Sequence, residues 1–426
     1  MRKLLVAAAL AATALTPLGA EAQMKDSLVI GMALEPAPGL DPTVAAAAAI
    51  SQVTAYNVYE NLVRIDESGA VSGMLASDWS ISADGLTYRF NLLSGVKFHD
   101  GTSFEASDVR FVFERNGAED SKNKEKRIYR GVASVETPDD HTVLVSLKQP
   151  NGIFLFKMAL AASSIVAPES AENNGNNPIG TGPYRFVEWV KGDSVSLAAN
   201  PDYRNAGNVQ IKNVTFRFIS DPTAQVTALL AGDIDALPSL SAPEMFPQFE
   251  NNSDFVAFEG TSEGETILSM NNKAEALSDV RVRRAIMHAI DRQALIDGAM
   301  SGYGTPIGTH FAPHNPAYLD LTGVYPYDPA KARALLLEAG YDNNLELKLH
   351  LPPPSYARRG GEVIAAMLAE VGVTATIENV EWASWLENVY RKKAYDLTIV
   401  SHVEPMDIGR IYTDPGYYLQ YDSQEF

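Results

Sequence analysis

Residues 345–378 read "LELKLHLPPPSYARRGGEVIAAMLAEVGVTATIE", and their pattern decides the fold. Leu345, Leu347, Leu349 and Leu351 alternate with polar residues, the period of a strand with one face turned inward. Prolines 352–354 end it, a helix is expected over Arg359–Val371, and a second strand over Val373–Glu378. A helix over Trp382–Lys392 and a strand over Asp396–Ser401 follow. Strand, helix and strand in succession imply parallel strands joined by right-handed crossovers, so the fold class is α/β. In open sheets of this kind ligands bind beyond the carboxyl ends of the strands. The loop "PPPSYARR" after the first strand and the loop "HVEPMD" after the last therefore share one edge, which sets Arg358 and Arg359 against His402, Glu404 and Asp407. Three titratable residues around a proline read as a metal site, a catalytic carboxylate pair or a charged socket for a ligand.

Outward from this region the same grammar holds. In "DVRVRRAIMHAID" (279–291), Val282, Ala285, Ile286, Ala289 and Ile290 recur at helical spacing, and Asp328-Pro329 opens another helix that stops at Gly340. Asp221, Asp291 and Asp328 each precede a helical pattern and are expected to cap it. "NVTFRFIS" (213–220) alternates as a strand before the helix "DPTAQVTALLAG", a strand-then-helix unit. Nearer the N-terminus, "SLVIGMA" (27–33) reads as a strand, as do "YRFVEWV" and "SVSLAAN", and "ISADGLTYRFNLL" (81–93) as a hairpin turning at Asp84-Gly85 with Tyr88, Phe90 and Leu92 on one face. "FEASDVRFVFER" (104–115) suits a helix.

The opening "MRKLLVAAALAATALTPLGAEAQ" has the form of a secretory signal peptide, basic and then apolar, with cleavage expected before Gln23. Its apolar run is too short to span a bilayer. With no cysteine there is no lipid-attachment site, disulfide or thiolate nucleophile in this sequence, and an unlipidated exported protein points to a Gram-negative periplasm. Removing Arg2, Lys3 and Glu21 with the leader leaves 32 basic and 52 acidic residues, a formal charge of −20, which disfavours nucleic acid and anionic membrane as partners. A chain of 426 residues exceeds what one core normally supports, so more than one domain is expected.

Some residues invite chemistry that their context does not support. Gly260-Thr261-Ser262-Glu263-Gly264 matches G-x-S-x-G, but the strand-like "ETILSMNN" follows where a nucleophile elbow needs a helix. Of seven histidines only His310 and His314 stand at metal spacing, and they flank Pro313 in a loop; His288 reads as a core histidine. The four tryptophans are core candidates first and stacking platforms second. No cofactor and no resident metal are expected. Arg358 and Arg359 near a helix start oppose its dipole, which favours an anionic partner close by.

Eight motifs together resemble a known family. They are "LDP" (40–42), "YENLVRID" (59–66), "LASDWSISADGLTYRFNLLSGVKFHDG" (75–101), "NPIGTGPYRFVEW" (177–189), "ANPDYR" (199–204), "DPTAQVTALLAGDID" (221–235), "DVRVRRAIMHAIDR" (279–292) and "YDPAKARALLLEAGY" (327–341). The chain resembles the periplasmic solute-binding proteins of ABC importers, family 5, the class that takes dipeptides, oligopeptides, nickel chelates and opines. The resemblance implies a two-lobed binding protein of the cluster C type. The first lobe would hold 23–55 and 180–258, an additional domain 56–179, and the second lobe 259–426, which looks incomplete at its C-terminus. It further implies a monomer that captures a peptide or peptide-like solute by closing its lobes and delivers it to an inner-membrane permease, without catalysis.

By the same resemblance Glu404, with Asp407 as rival, takes the ligand's α-amino group, and Arg358 or Arg359 in "SYARR" takes its carboxylate. Tyr356 lies in that stretch, while backbone at Ser401, His402 and Ala47 would flank an extended peptide as an added strand. A nickel chelate with His402 in contact is the alternative within the family, and a hydrolase using Ser262 the alternative outside it.

Overall fold

The computed structural model describes residues 25–45, 47–66, 68–315, 317–403 and 408–423, the side chain of Arg410 excepted. The expected leader, Ala46, Glu404 and Asp407 lie outside the described residues. Fourteen strands occur among those described: β1 (Ser27–Met32), β2 (Val63–Ile65), β3 (Val71–Gly73), β4 (Ala76–Ile81), β5 (Thr87–Leu92), β6 (Val132–Asp139), β7 (Thr142–Leu147), β8 (Tyr184–Val190), β9 (Ser194–Ala199), β10 (Asn213–Phe218), β11 (Glu265–Met270), β12 (Leu345–Leu351), β13 (Val373–Asn379) and β14 (Leu397–His402). Two compact units divide the chain: residues up to Phe218 with Gly232–Ala236, and Ile219–Ala231 with everything from Leu237.

The first unit carries two four-stranded sheets, β1-β10-β9-β8 and β4-β5-β7-β6, and the β2-β3 ribbon. β1 runs parallel to β10, and every other pair in the two larger sheets is antiparallel. The expected hairpin is β4-β5, with Trp79 opposite Phe90 and Gly85 turning at φ 70°. Tyr88, Phe90 and Leu92 are buried as their alternation requires. One hydrophobic cluster runs through both the segments expected in the first lobe and those expected in the additional domain.

Two ion pairs in this unit have fully buried carboxylates. Glu60, wholly buried, takes both guanidinium nitrogens of Arg204 at 2.7 and 2.5 Å, with the Tyr203 and Thr181 hydroxyls also donating to it. Asp41 meets Arg115 at 3.1 Å and accepts from the Thr43 hydroxyl. Gly180 and Gly182 lie against the backbone of Asn57 and Val58, so closely that a Cβ at Gly180 would stand 2.1 Å from the Val58 carbonyl oxygen.

The second unit is built on one sheet of order β11-β14-β12-β13, with β12 parallel to both β13 and β14 and β11 antiparallel to β14. Its leucine and isoleucine core contains all four alternating leucines of β12 together with Ile364 and Leu368 of the helix Ser355–Glu370. Asp221, Asp291 and Asp328 accept backbone N–H groups of their helices, as capping residues should.

Of the residues 180–258 expected in the first lobe, Ile219–Ala231 and 237–258 group with the second compact unit. Phe249 and Ala242 pack on Val226 of the helix Pro222–Ala231, Phe246 packs edge-on to Tyr303, and Glu244 pairs with Arg359. No helix among the described residues is long and apolar enough to cross a membrane.

Candidate functional site

Because β12 and β14 are parallel neighbours, the loops that leave their carboxyl ends emerge on one edge of the sheet. The helix after β12 begins at Ser355, with Pro354 at its N-cap, four residues earlier than the sequence suggested. Proline fixes φ near the helical value and lacks an N–H that would be orphaned there, so the run 352–354 leads directly into a helix. Tyr356 thus sits in the first turn, and its hydroxyl accepts the Ser401 N–H at 3.2 Å, tying one loop to the other. Burial raises the Tyr356 phenol above its ordinary range and keeps it neutral.

The two arginines differ. Arg359 donates through both terminal nitrogens to Glu244 at 2.8 Å each, and this fork pulls the Glu244 carboxyl down to about 2. Arg358 reaches Glu381 only at 3.5 Å, and its Nε is buried without a hydrogen bond. Arg358 is therefore the guanidinium with donors to spare.

Ser401 and His402 are both half-buried at the end of β14. Alternation along the strand turns Thr398 and Val400 toward a cluster of aromatic side chains, and His402 follows them. The His402 ring lies parallel to Tyr418, 7° between planes, and its Nε2 meets the Tyr418 hydroxyl at 2.9 Å, which in turn lies 2.8 Å from Ser269 Oγ. Tyr418 is held from below: its carbonyl accepts the Tyr395 hydroxyl at 3.0 Å, and Asn272 grips the next carbonyl, that of Leu419. Burial pushes the Tyr418 phenol well up.

Across the antiparallel pairing Glu265 stands opposite His402 in register, and His310 approaches both, its ring 5.0 Å from that of His402 and its Nε2 3.9 Å from Glu265 Oε2. Sequence reasoning set His310 aside and passed over Glu265 as a strand residue. The β11-β14 register, which no local pattern reveals, sets Glu265 opposite His402, and His310 reaches them from the irregular chain after the helix Arg292–Met300. Ala47 is the exposed N-cap residue of the helix Ala48–Thr54 in the first unit.

The remaining candidates resolve plainly. β11 starts three residues after Ser262, so the G-x-S-x-G match is not a nucleophile elbow. His288 is buried, with Nδ1 2.7 Å from the Pro326 carbonyl, and is a satisfied core residue. His314 pairs with Glu263 at 2.7 Å. Among the described residues no three His, Asp or Glu side chains converge as a metal cluster. Trp385 is buried and donates to Thr398 Oγ1 at 2.9 Å, Trp382 packs edge-on to it, and both belong to the aromatic core.

Comparison with known proteins identifies the family and the fold. A family model described as bacterial extracellular solute-binding proteins, family 5 Middle, matches residues 70–423. The chain belongs to that family. Among its relatives is the glutathione-binding protein GsiB of Salmonella typhimurium strain LT2, 33% identical over 334 residues, 77% of this chain and 65% of the relative. GsiB of Escherichia coli O157:H7 is 33% identical over 336 residues with the same coverage.

This family 5 chain thus spans about two thirds of the length of the curated relatives it matches. Solved structures agree in fold. The oligopeptide-binding protein AppA of Bacillus subtilis, in complex with a nonapeptide, superposes with a TM-score of 0.83 at 25% identity, covering 94% of this chain and 85% of AppA. AgaA of A. tumefaciens R10, bound to agropinic acid, gives 0.77 at 28% identity over 88% and 77% of the two chains. NikZ of Campylobacter jejuni, bound to Ni(L-His), gives 0.81 at 25% identity over 94% and 84%. The two-lobed family 5 architecture expected from the motifs is the one these neighbours share.

Proposed function

We propose that this protein is the solute-capturing component of an ABC importer, taking a peptide or a peptide-like solute such as a glutathione-type tripeptide in the periplasm and presenting it to an inner-membrane permease. It works as a monomer and catalyses nothing. The observation that carries the reading is the shared edge of β12 and β14. The first turn of the helix after β12 supplies Arg358, whose only pairing among the described residues is the 3.5 Å contact with Glu381, and the chain after β14 continues from Ser401 and His402 into Glu404 and Asp407. A zwitterion gripped at its carboxylate by Arg358 and at its amine by Glu404 has both charges paired once water is excluded, which enclosure of an ionic ligand requires. The GsiB relatives support a peptide-like ligand, and the AppA complex an extended one. Ligand contacts made in full only when two lobes are shut would shift the population toward the closed form.

Nickel chelates are the second reading, favoured by the NikZ likeness alone; a metal at His402 would have to displace the Tyr418 hydroxyl from Nε2.

Calorimetric titration with trialanine tests the first reading. Arg358→Gln is expected to weaken trialanine by about 2–5 kcal/mol and its C-terminal amide far less. Arg359→Gln, whose native partner is Glu244, should change affinity by less than about 1 kcal/mol, in the range of an exposed pair. Equal losses for acid and amide in Arg358→Gln would refute the assignment.

A further inference from the structure

β11 closes the sheet of the second unit, with β14 on one side and no strand on the other. Along that open side lies a cavity of about 550 Å³, and Thr266, Ile267, Leu268, Ser269 and Met270 all line it. Successive strand residues point to opposite faces, so five in a row can meet one cavity only at the backbone edge of the strand. An edge strand turns the N–H and C=O of every second residue outward. Among the described residues, no hydrogen bond beyond the ladder with β14 reaches the backbone of Thr266, Ile267, Leu268 or Ser269. Backbone groups in a half-buried edge need partners.

The opposite wall is helical and apolar, with Ile286 and Met287 from the helix Val280–Ala289 and Leu295 and Ile296 from the helix Arg292–Met300. That wall shuts out the broad edge of a second copy's sheet and leaves room for a single extended segment. Arg283 and Arg292 line the cavity as well. Their hydrogen bonds go to the carbonyls of Leu277, Ser278 and Tyr325, and neither is in an ion pair with a carboxylate among the described residues. Burial lowers the Arg283 guanidinium below its ordinary range, yet a guanidinium stays charged at any physiological pH. A partly desolvated cation without a counter-ion favours an occupant that carries a carboxylate.

We propose that this cavity is a second binding site, which takes an extended segment of a partner polypeptide as a fifth strand on the four-stranded sheet. The backbone of that segment pairs with β11, its apolar side chains fill the space before the helical wall, and an acidic side chain reaches the two guanidiniums. The site lies within the second unit and does not rest on the zwitterion reading of the β12–β14 edge.

Calorimetry and amide hydrogen exchange on the full chain test this with the peptide acetyl-Thr-Val-Thr-Val-Thr-Val-Asp-amide, whose capped ends offer the β12–β14 edge no zwitterion. Exchange within Thr266–Ser269 should slow by at least about tenfold at saturation, because a new ladder must open first. N-methylating either all the valines or all the threonines gives two peptides, and only one of them loses the N–H groups that face β11. That one should bind more than about tenfold more weakly, and the other should keep most of its affinity. Changing the peptide's aspartate to asparagine should weaken it by about three- to tenfold. Decanoate, an apolar carboxylate with no peptide backbone, should bind at least about tenfold more weakly than the peptide. Equal losses from the two methylation patterns, unslowed exchange in β11, or no heat up to about 1 mM peptide overturns the proposal. Decanoate binding as tightly as the peptide would make the cavity a site for amphipathic acids and overturn it too.

Discussion

Arg204 and Glu60 are 144 positions apart, yet each is the other's reason for being where it is. Glu60 is fully buried, so removing its guanidinium partner by Arg204→Met leaves an uncompensated carboxylate. Urea unfolding should register a loss of about 3–5 kcal/mol, most of it recovered when Glu60→Gln is added. Asp108 behaves in the opposite sense. It closes a capping box with Glu105 at the start of the helix Ala106–Gly117, and burial lifts its carboxyl to about 6 from an ordinary 3.8. A carboxyl raised in the folded state binds its proton more tightly there than in the unfolded chain. Its contribution is therefore greatest below about pH 4 and is lost as pH rises through about 6. Replacing it in Asp108→Asn should flatten that part of the stability profile, and an unchanged slope between those limits would count against it. At this scale sequence reading named Arg358 and Arg359 as equivalents. Their inequality comes from Glu244, 115 positions away from Arg359, which no local pattern encodes.

Elements were far more legible than contacts, because period and punctuation are local. β12, β13 and β14 fall within a residue of where alternation put them, and the three aspartate caps follow from the residues just after them. The helix starts at Ser355 and not at Arg359 because prolines 352–354, which end the strand, also suit the entry to a helix, and local pattern does not separate the two roles. In the first unit, "NPIGTGPY" and "AYNVYENL" look unrelated in the sequence, but the glycines of one allow it to lie on the backbone of the other. Gly182 N–H donates to the Val58 carbonyl and the Tyr184 N–H to that of Asn57, at 3.0 Å each. A methyl group at Gly180 would collide with backbone that cannot turn aside. Gly180→Ala should lower the stability of the first unit by about 1–3 kcal/mol or more by thermal or urea unfolding, while Gly232→Ala, with open space around its Cβ direction, would cost only the strain of its φ of 75°. Equal effects would remove the close approach as the cause.

For the whole molecule, the co-occurring motifs identified the family and its two-lobed architecture, but not how Ile219–Ala231 and 237–258 group in the two compact units. Residues 237–258 carry no strong period, and their allegiance to the second unit rests on Phe249, Phe246 and Glu244 finding partners far along the chain. Of the candidate site, the shared edge at the ends of β12 and β14 could be read from the sequence, but Glu265 opposite His402 appears only through strand register. Capture of a peptide-like zwitterion is the central proposal, and the most direct measurement is native mass spectrometry of protein purified from its native host, followed by denaturation and identification of whatever is released. A short peptide or glutathione-like solute with free amine and carboxylate is the predicted result. A released nickel chelate or a non-peptidic solute, or a protein that stays empty and gives no heat with trialanine or glutathione, would contradict it.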